Sequence, residues 1–169
     1  MVVFGHSFVA RLKDSQFNEY NAKLFGLPGG QARSIMNKFI FKDVLEYRPD
    51  FCFIQIGGND ITDTSDAIEI VNSISEIVKR LQEHGTVVAI GEIMPRSKPW
   101  PPLTPQSYEN IRIAINMMLK QKYSQDMIVS YHDIDFHHLD KDGVHLNNLG
   151  TSVFINAIKQ EFDKYLISS

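Results

Sequence analysis

Five short runs of apolar, β-branched or aromatic residues punctuate this chain, at residues 1–4, 22–25, 51–56, 86–90 and 127–131. Each is near-continuous rather than alternating. A strand with one wet face alternates apolar with polar, so these runs read as strands covered on both faces, as in a parallel sheet. Parallel neighbours need long crossovers, usually helical. The intervening segments supply them. Residues 65–84 put Ile70, Val71, Ile74, Ile77, Val78 and Leu81 on one helical face, with Thr64, Ser65 and Asp66 as candidate caps and Gly85 as a stop. A second helix starts with Thr104 as cap and Pro105 as first residue, and continues through Ile111, Ile115, Met118 and Leu119. A third is predicted over 148–166, facing inward through Val153, Phe154, Ala157, Ile158, Phe162, Tyr165 and Leu166, and a short one over 31–39. Strands alternating with helices predict an α/β fold: a three-layer αβα sandwich, flavodoxin-like, with about five parallel strands and right-handed crossovers.

The bulk numbers narrow the function classes. A chain of 169 residues fits one domain over 1–169, either a compact enzyme or a piece of a longer protein. Hydrophobic residues at 43% and charged residues at 22% give an ordinary globular composition. The net charge of −3 argues against a nucleic-acid surface. No apolar run approaches the ~20 residues that span a bilayer. The first residues carry no signal-peptide core, which favours a cytoplasmic setting. The single cysteine, Cys52, excludes an internal disulfide and lies in an apolar run, which suits a buried structural thiol.

Ligands of open parallel sheets bind outside the carboxyl ends of the strands. Four polar motifs fall at such ends: Gly5-His6-Ser7, Gly29-Gly30, Gly57-Gly58-Asn59-Asp60, and Asp142-Gly143-Val144-His145. A serine hydroxyl needs an adjacent base to become a nucleophile. His145 is the candidate base, and Asp142 can fix its tautomer and stabilise the imidazolium. Attack on an ester carbonyl creates an oxyanion, for which the N–H of Ser7, the N–H of Gly30 and the Asn59 amide are candidate donors. Asp60 is expected only to brace its loop. The segment from Pro95 to Pro105 holds five of the seven prolines and the only tryptophan, Trp100, so it should be a stiff loop on the same rim. Trp100 is either a substrate platform or a hydrophobic plug.

These blocks resemble the SGNH hydrolase family, also called GDSL esterases and lipases. The match runs from Gly5–Ser7 to Asp142–His145. Gly57-Gly58-Asn59-Asp60 fits the family's G-x-N-D block, and the stretch from Asp142 to Gly150 resembles its last block and following helix. The resemblance implies the αβα fold, Ser7 as nucleophile, Asp142 and His145 completing a triad, and Gly30 and Asn59 completing the oxyanion hole. Gly29 and Gly30 are adjacent; Gly30 is taken because a helix is expected to begin directly after it. The chain departs from the family around its serine, where His6 and Phe8 replace the usual Asp and Leu. His6 is therefore expected to enter the site, with Trp100, as a substrate contact.

The resulting expectation is a serine esterase that cleaves a short acyl or acetyl ester, carried on a sugar or lipid, through an acyl-enzyme. A non-catalytic module binding an acylated or glycosylated partner is the competing reading, against which the intact Ser7, Asn59, Asp142 and His145 stand. A nucleotide or flavin binder is disfavoured, because Gly26-Leu27-Pro28-Gly29-Gly30 does not fit G-x-G-x-x-G. The nucleophile elbow G-x-S-x-G of α/β-hydrolases also fails, with Val9 at its second glycine. No cofactor is expected. His132, Asp133, Asp135, His137 and His138 could suggest a metal, but they match no zinc spacing and read as a loop leading to Asp142.

Overall fold

The computed structural model describes residues 1–169. Five strands form one sheet: β1 (Val2–Gly5), β2 (Lys23–Gly26), β3 (Phe51–Gln55), β4 (Val87–Gly91) and β5 (Ile128–Val129). All neighbours are parallel, in the order β2-β1-β3-β4-β5. The order reverses between β1 and β3, so the loops leaving those strands part and open a crevice at their carboxyl ends. The α/β architecture expected from the apolar runs is present. The last strand is shorter than its run, because only Ile128 and Val129 find partners, at Ile90 and Gly91.

The pleat sorts each run into two layers. Val2, Phe4, Cys52, Ile54, Val88 and Ile90 join one core cluster; Val3, Phe51, Phe53, Ala89 and Val129 join the other. Successive side chains of a strand point to opposite faces, so a continuous apolar run serves two cores. Four helices cover the first face: α2 (Ala32–Ile35), α3 (Phe39–Tyr47), α4 (Ala67–Glu83) and α5 (Pro105–Lys122). The second face is covered by α1 (Ser7–Ala10), a 3-10 segment at Asp14–Tyr20, and α6 (Asn148–Ser168). Phe154, Ile158 and Phe162 of α6 are at most 1% exposed, each burial contributing roughly 1.5–3 kcal/mol.

The helix caps follow the predicted chemistry. Asp66 accepts from the N–H of Ile68 and starts α4, whose six expected core residues are all buried. Thr104 accepts from the N–H of Ser107, with Pro105 in the first turn of α5. Two expectations change. The single helix over 31–39 is instead the one-turn α2 followed by a separate α3, because Lys38 adopts an extended conformation between them. That break lets Phe41 and Val44 turn into the core while Phe39 stays exposed. Leu166, expected inward, is exposed; in that last part of α6 it is Tyr165 that packs on Phe51 of β3.

Candidate active site

β1 delivers Ser7 directly onto the rim. Gly5 ends the strand, His6 stays extended, and Ser7 is the first residue of α1. A first-turn N–H has no intrahelical partner. The N–H of Ser7 donates to no other group of the chain and is free for a ligand. His6, directly before Ser7, is 1% exposed. Its backbone N–H donates to the Gln55 carbonyl at 3.1 Å, and its Nδ1 accepts from the N–H of Phe8 at 3.4 Å. Burial pulls its pKa from 6.5 down to about 3, and the positive charge of Arg96 and the nearby His145 push the same way. His6 is thus a neutral, buried cap for α1. The expected substrate contact from His6 gives way to this role, because its side chain is buried, is engaged by the Phe8 N–H and is not among the residues that line the cleft.

The segment between β5 and α6 brings Asp142 and His145. Asp142 Oδ1 accepts the backbone N–H groups of Val144 and His145, both at 2.9 Å. Its Oδ2 lies 2.6 Å from His145 Nδ1. Nε2 of the same ring lies 3.1 Å from Ser7 Oγ. Partial burial pushes the Asp142 pKa up, but the hydrogen bonds from the His145 side chain and the two backbone N–H groups outweigh it. The carboxyl is held well below the usual range. An ionised carboxylate only accepts, so the proton of a neutral His145 ring belongs on Nδ1, and Nε2 offers its lone pair to the Ser7 hydroxyl. Gly143 makes the turn possible, with φ +69 and no room for a side chain: a Cβ would meet Ser97 Oγ at 2.6 Å. The backbone N–H of Ser97 donates to the Gly143 carbonyl at 2.9 Å, docking this turn on the proline loop.

The glycine pair and Asn59 face the same space from the other side. Gly29 has φ +70, a region few L-residues tolerate, and its N–H donates to no group of the chain. Gly30 is buried and its N–H donates to the Leu27 carbonyl at 2.9 Å. The tight turn at Leu27–Gly30 therefore spends the donor expected from Gly30 and leaves that of Gly29 open to the cleft. Asn59 Nδ2 donates to the Gly30 carbonyl at 3.0 Å, while its Oδ1 accepts from Arg96 at 2.7 Å. A second Nδ2–H remains. Asp60 binds the N–H groups of Ala32 and Arg33, at 2.8 and 3.1 Å, and so ties the loop after β3 to the start of α2.

These groups line one cleft of about 480 Å³, which contains Ser7, Gly29, Asn59, Asp142 and His145. Trp100 is 77% exposed and forms its rim, where a second cavity of about 380 Å³ begins. His132, Asp133, Asp135, His137 and His138 stand apart from it. Asp135 caps a 3-10 turn and lies 2.9 Å from Nδ1 of His138. No three histidine, cysteine or carboxylate side chains gather into a metal-ligand group. Cys52 is fully buried, and burial pushes its thiol pKa up, away from reactivity. No helix is long and apolar enough to cross a membrane.

Residues 3–153 match the GDSL-like Lipase/Acylhydrolase family. The chain belongs to that family. Among solved structures, a candidate acylhydrolase from Bacteroides fragilis NCTC 9343 is similar at 21% identity and a TM-score of 0.84, covering 98% of this chain and 86% of that one. A GDSL-like lipase from Bacteroides thetaiotaomicron VPI-5482 is similar at 20% identity and a TM-score of 0.78, covering 97% and 87%. A carbohydrate esterase family 3 protein from Talaromyces cellulolyticus is similar at 18% identity and a TM-score of 0.75, covering 99% and 98%. At these identities the likeness is one of fold. No match was found among curated proteins.

Two residues around the site of this GDSL-like acylhydrolase escape sequence reasoning. Phe8 presents its ring edge-on to His145, with centroids 6.2 Å apart and planes at 84°. Arg96 reaches Asn59 across 37 positions of sequence. Arg96 is the arginine of the proline loop, directly after Pro95; its polar neighbours in that segment are the one available hint.

Proposed function

We propose that this ester hydrolase of the GDSL acylhydrolase family works through a Ser7–His145–Asp142 triad. The observation that carries the reading is the unbroken line from Asp142 Oδ2 through the His145 ring to Ser7 Oγ, at 2.6 and 3.1 Å. Ser7 Oγ attacks the acyl carbon while its proton passes to His145 Nε2, and the carbonyl electron pair moves onto oxygen. The N–H of Ser7, the N–H of Gly29 and the free Nδ2–H of Asn59 receive that oxyanion, with Gly29 taking the part expected of Gly30. Collapse expels the alcohol, which takes the proton from His145, and leaves the acyl group on Ser7. Water then attacks, His145 takes its proton, and a second collapse returns the proton to Ser7 Oγ and releases the acid.

The cleft supports a small acyl group on a polar alcohol. Ala10, Pro28, Val144 and Trp100 give it apolar wall, and Arg11, Lys98 and Asp142 bring polar groups to its edges. At about 480 Å³ the cleft must hold the alcohol as well as the acyl group, which favours a short chain. An exposed indole offers a flat apolar face beside polar groups, which suits a sugar ring. We therefore assign a short acyl ester, such as an acetyl group on a saccharide. A fluorophosphonate probe tests the core of this reading. The expected result is one adduct on Ser7, lost in Ser7→Ala together with hydrolysis of a short-chain aryl ester. An adduct elsewhere, or full activity in Ser7→Ala, would remove it.

A further inference from the structure

Arg96 is 3% exposed, and no carboxylate pairs with it. A buried charge without a counter-ion is costly, so its retention calls for a use. Its guanidinium lies 5.3 Å from the centre of the Tyr108 ring, and Tyr108 is itself anchored by its hydroxyl on the Met94 carbonyl at 3.1 Å. Gly58 leaves room for it: a Cβ there would meet the guanidinium at 3.1 Å. The one hydrogen bond that Arg96 makes within the chain ends on Asn59 Oδ1, at 2.7 Å.

We propose that Arg96 is a positioning residue for the oxyanion, acting through Asn59. An asparagine amide can turn over and present oxygen where nitrogen stood. Arg96 has only donors and the Gly30 carbonyl only accepts, so between them they fix Oδ1 inward and Nδ2 toward the cleft. The turned amide would meet an oxyanion with a carbonyl dipole and repel it. The cation also draws electron density through the amide, which strengthens the remaining Nδ2–H as a donor. Its charge, unmatched in the resting protein, is complemented when negative charge develops on the substrate oxygen. Such a group acts on the transition state more than on the bound ester, so it governs kcat rather than KM.

This inference rests on the Ser7 hydrolase reading, and the experiment separates the two. Labelling of wild-type Ser7 by a fluorophosphonate is the control; without it the hydrolase reading itself falls. With it, Arg96→Met should lower kcat for a short-chain aryl ester by about 10- to 100-fold, below the full loss of a donor, with KM changed by less than about threefold. Arg96→Lys keeps the charge and one donor and should lie between that variant and the wild type. The double variant Arg96→Met with Asn59→Ala should be no slower than Asn59→Ala alone, since Arg96 has nothing left to act through. A wild-type kcat in Arg96→Met, or losses that multiply in the double variant, would overturn the inference. If Arg96→Met does not fold, Arg96→Lys decides: reduced kcat at unchanged KM and melting temperature supports it, and wild-type kcat overturns it.

Discussion

Ser7 and His145 stand 138 positions apart in sequence and 3.1 Å apart in space. The first follows a central strand and the second follows the edge strand at the other end of the order. Their meeting depends on two rigid holds. One is the cap that His6 places on α1; the other is the pair of backbone N–H groups that Asp142 draws onto Oδ1. Each hold can be tested separately from the chemistry it supports.

On the proposed mechanism, Asn59→Ala removes a donor that acts mainly as charge develops. Turnover of a short aryl ester should fall by roughly 100- to 1,000-fold with little change in KM. Steady-state kinetics with matched melting curves give the answer. A raised KM at constant kcat would assign Asn59 to ground-state binding instead.

Asp142→Asn should leave the turn in place, since an amide oxygen can still accept from Val144 and His145, yet lower kcat by about 10⁴-fold by upsetting the imidazole tautomer. In the wild type the Asp142 pKa lies below 3.8, so its ionised form is present above that value and fades only below it. A fall in kcat between pH 7 and 5 therefore belongs to a group other than Asp142, and the variant's own profile should not remove it.

His6 titrates at about 3 in the folded chain against an ordinary 6.5. Because the folded value is the lower one, the stabilisation is complete above 6.5 and is lost as pH falls toward 3. Within that window stability should decline by about 1.4 kcal/mol per pH unit from this group. His6→Asn keeps a capping side chain and removes the titration. Thermal melts at pH 7.5 and 5 should differ less in the variant than in the wild type; an equal difference would mean that other groups carry the slope.

Trp100→Ala touches an exposed ring, so the melting temperature should stay within experimental error. For an acetylated sugar KM should rise by about tenfold at constant kcat, because the ring binds substrate and transition state alike. A small aryl acetate should show a smaller rise. Equal effects on both esters would make the ring a general wall of the cleft rather than a saccharide platform.

The layers of the fold were legible because their cause is local. Runs such as Phe51–Gln55 are apolar on both faces, and α4 repeats its buried residues at helical spacing. That Ser7, Asp142 and His145 share one rim was legible because each lies in a segment that follows a strand. The break between α2 and α3 was not, since the extended Lys38 carries no glycine or proline signal and its consequence, the burial of Phe41 and Val44, is a tertiary one. The choice between Gly29 and Gly30 was hidden for a related reason. It turns on which N–H the Leu27 carbonyl takes, a matter of turn geometry rather than residue type. Arg96 was hidden because its partner lies 37 positions away, and His6 because nothing in its sequence neighbours says which way the ring turns.

The proline loop has two faces with separate duties. Outward it offers Trp100 to the solvent; inward, Arg96 grips Asn59 and Ser97 grips Gly143. Exchanging the whole loop to change what the enzyme accepts would therefore disturb both sides of the reactive centre at once. A graft whose joints fall after Ser97 leaves those two grips in place and makes substrate preference an exchangeable part.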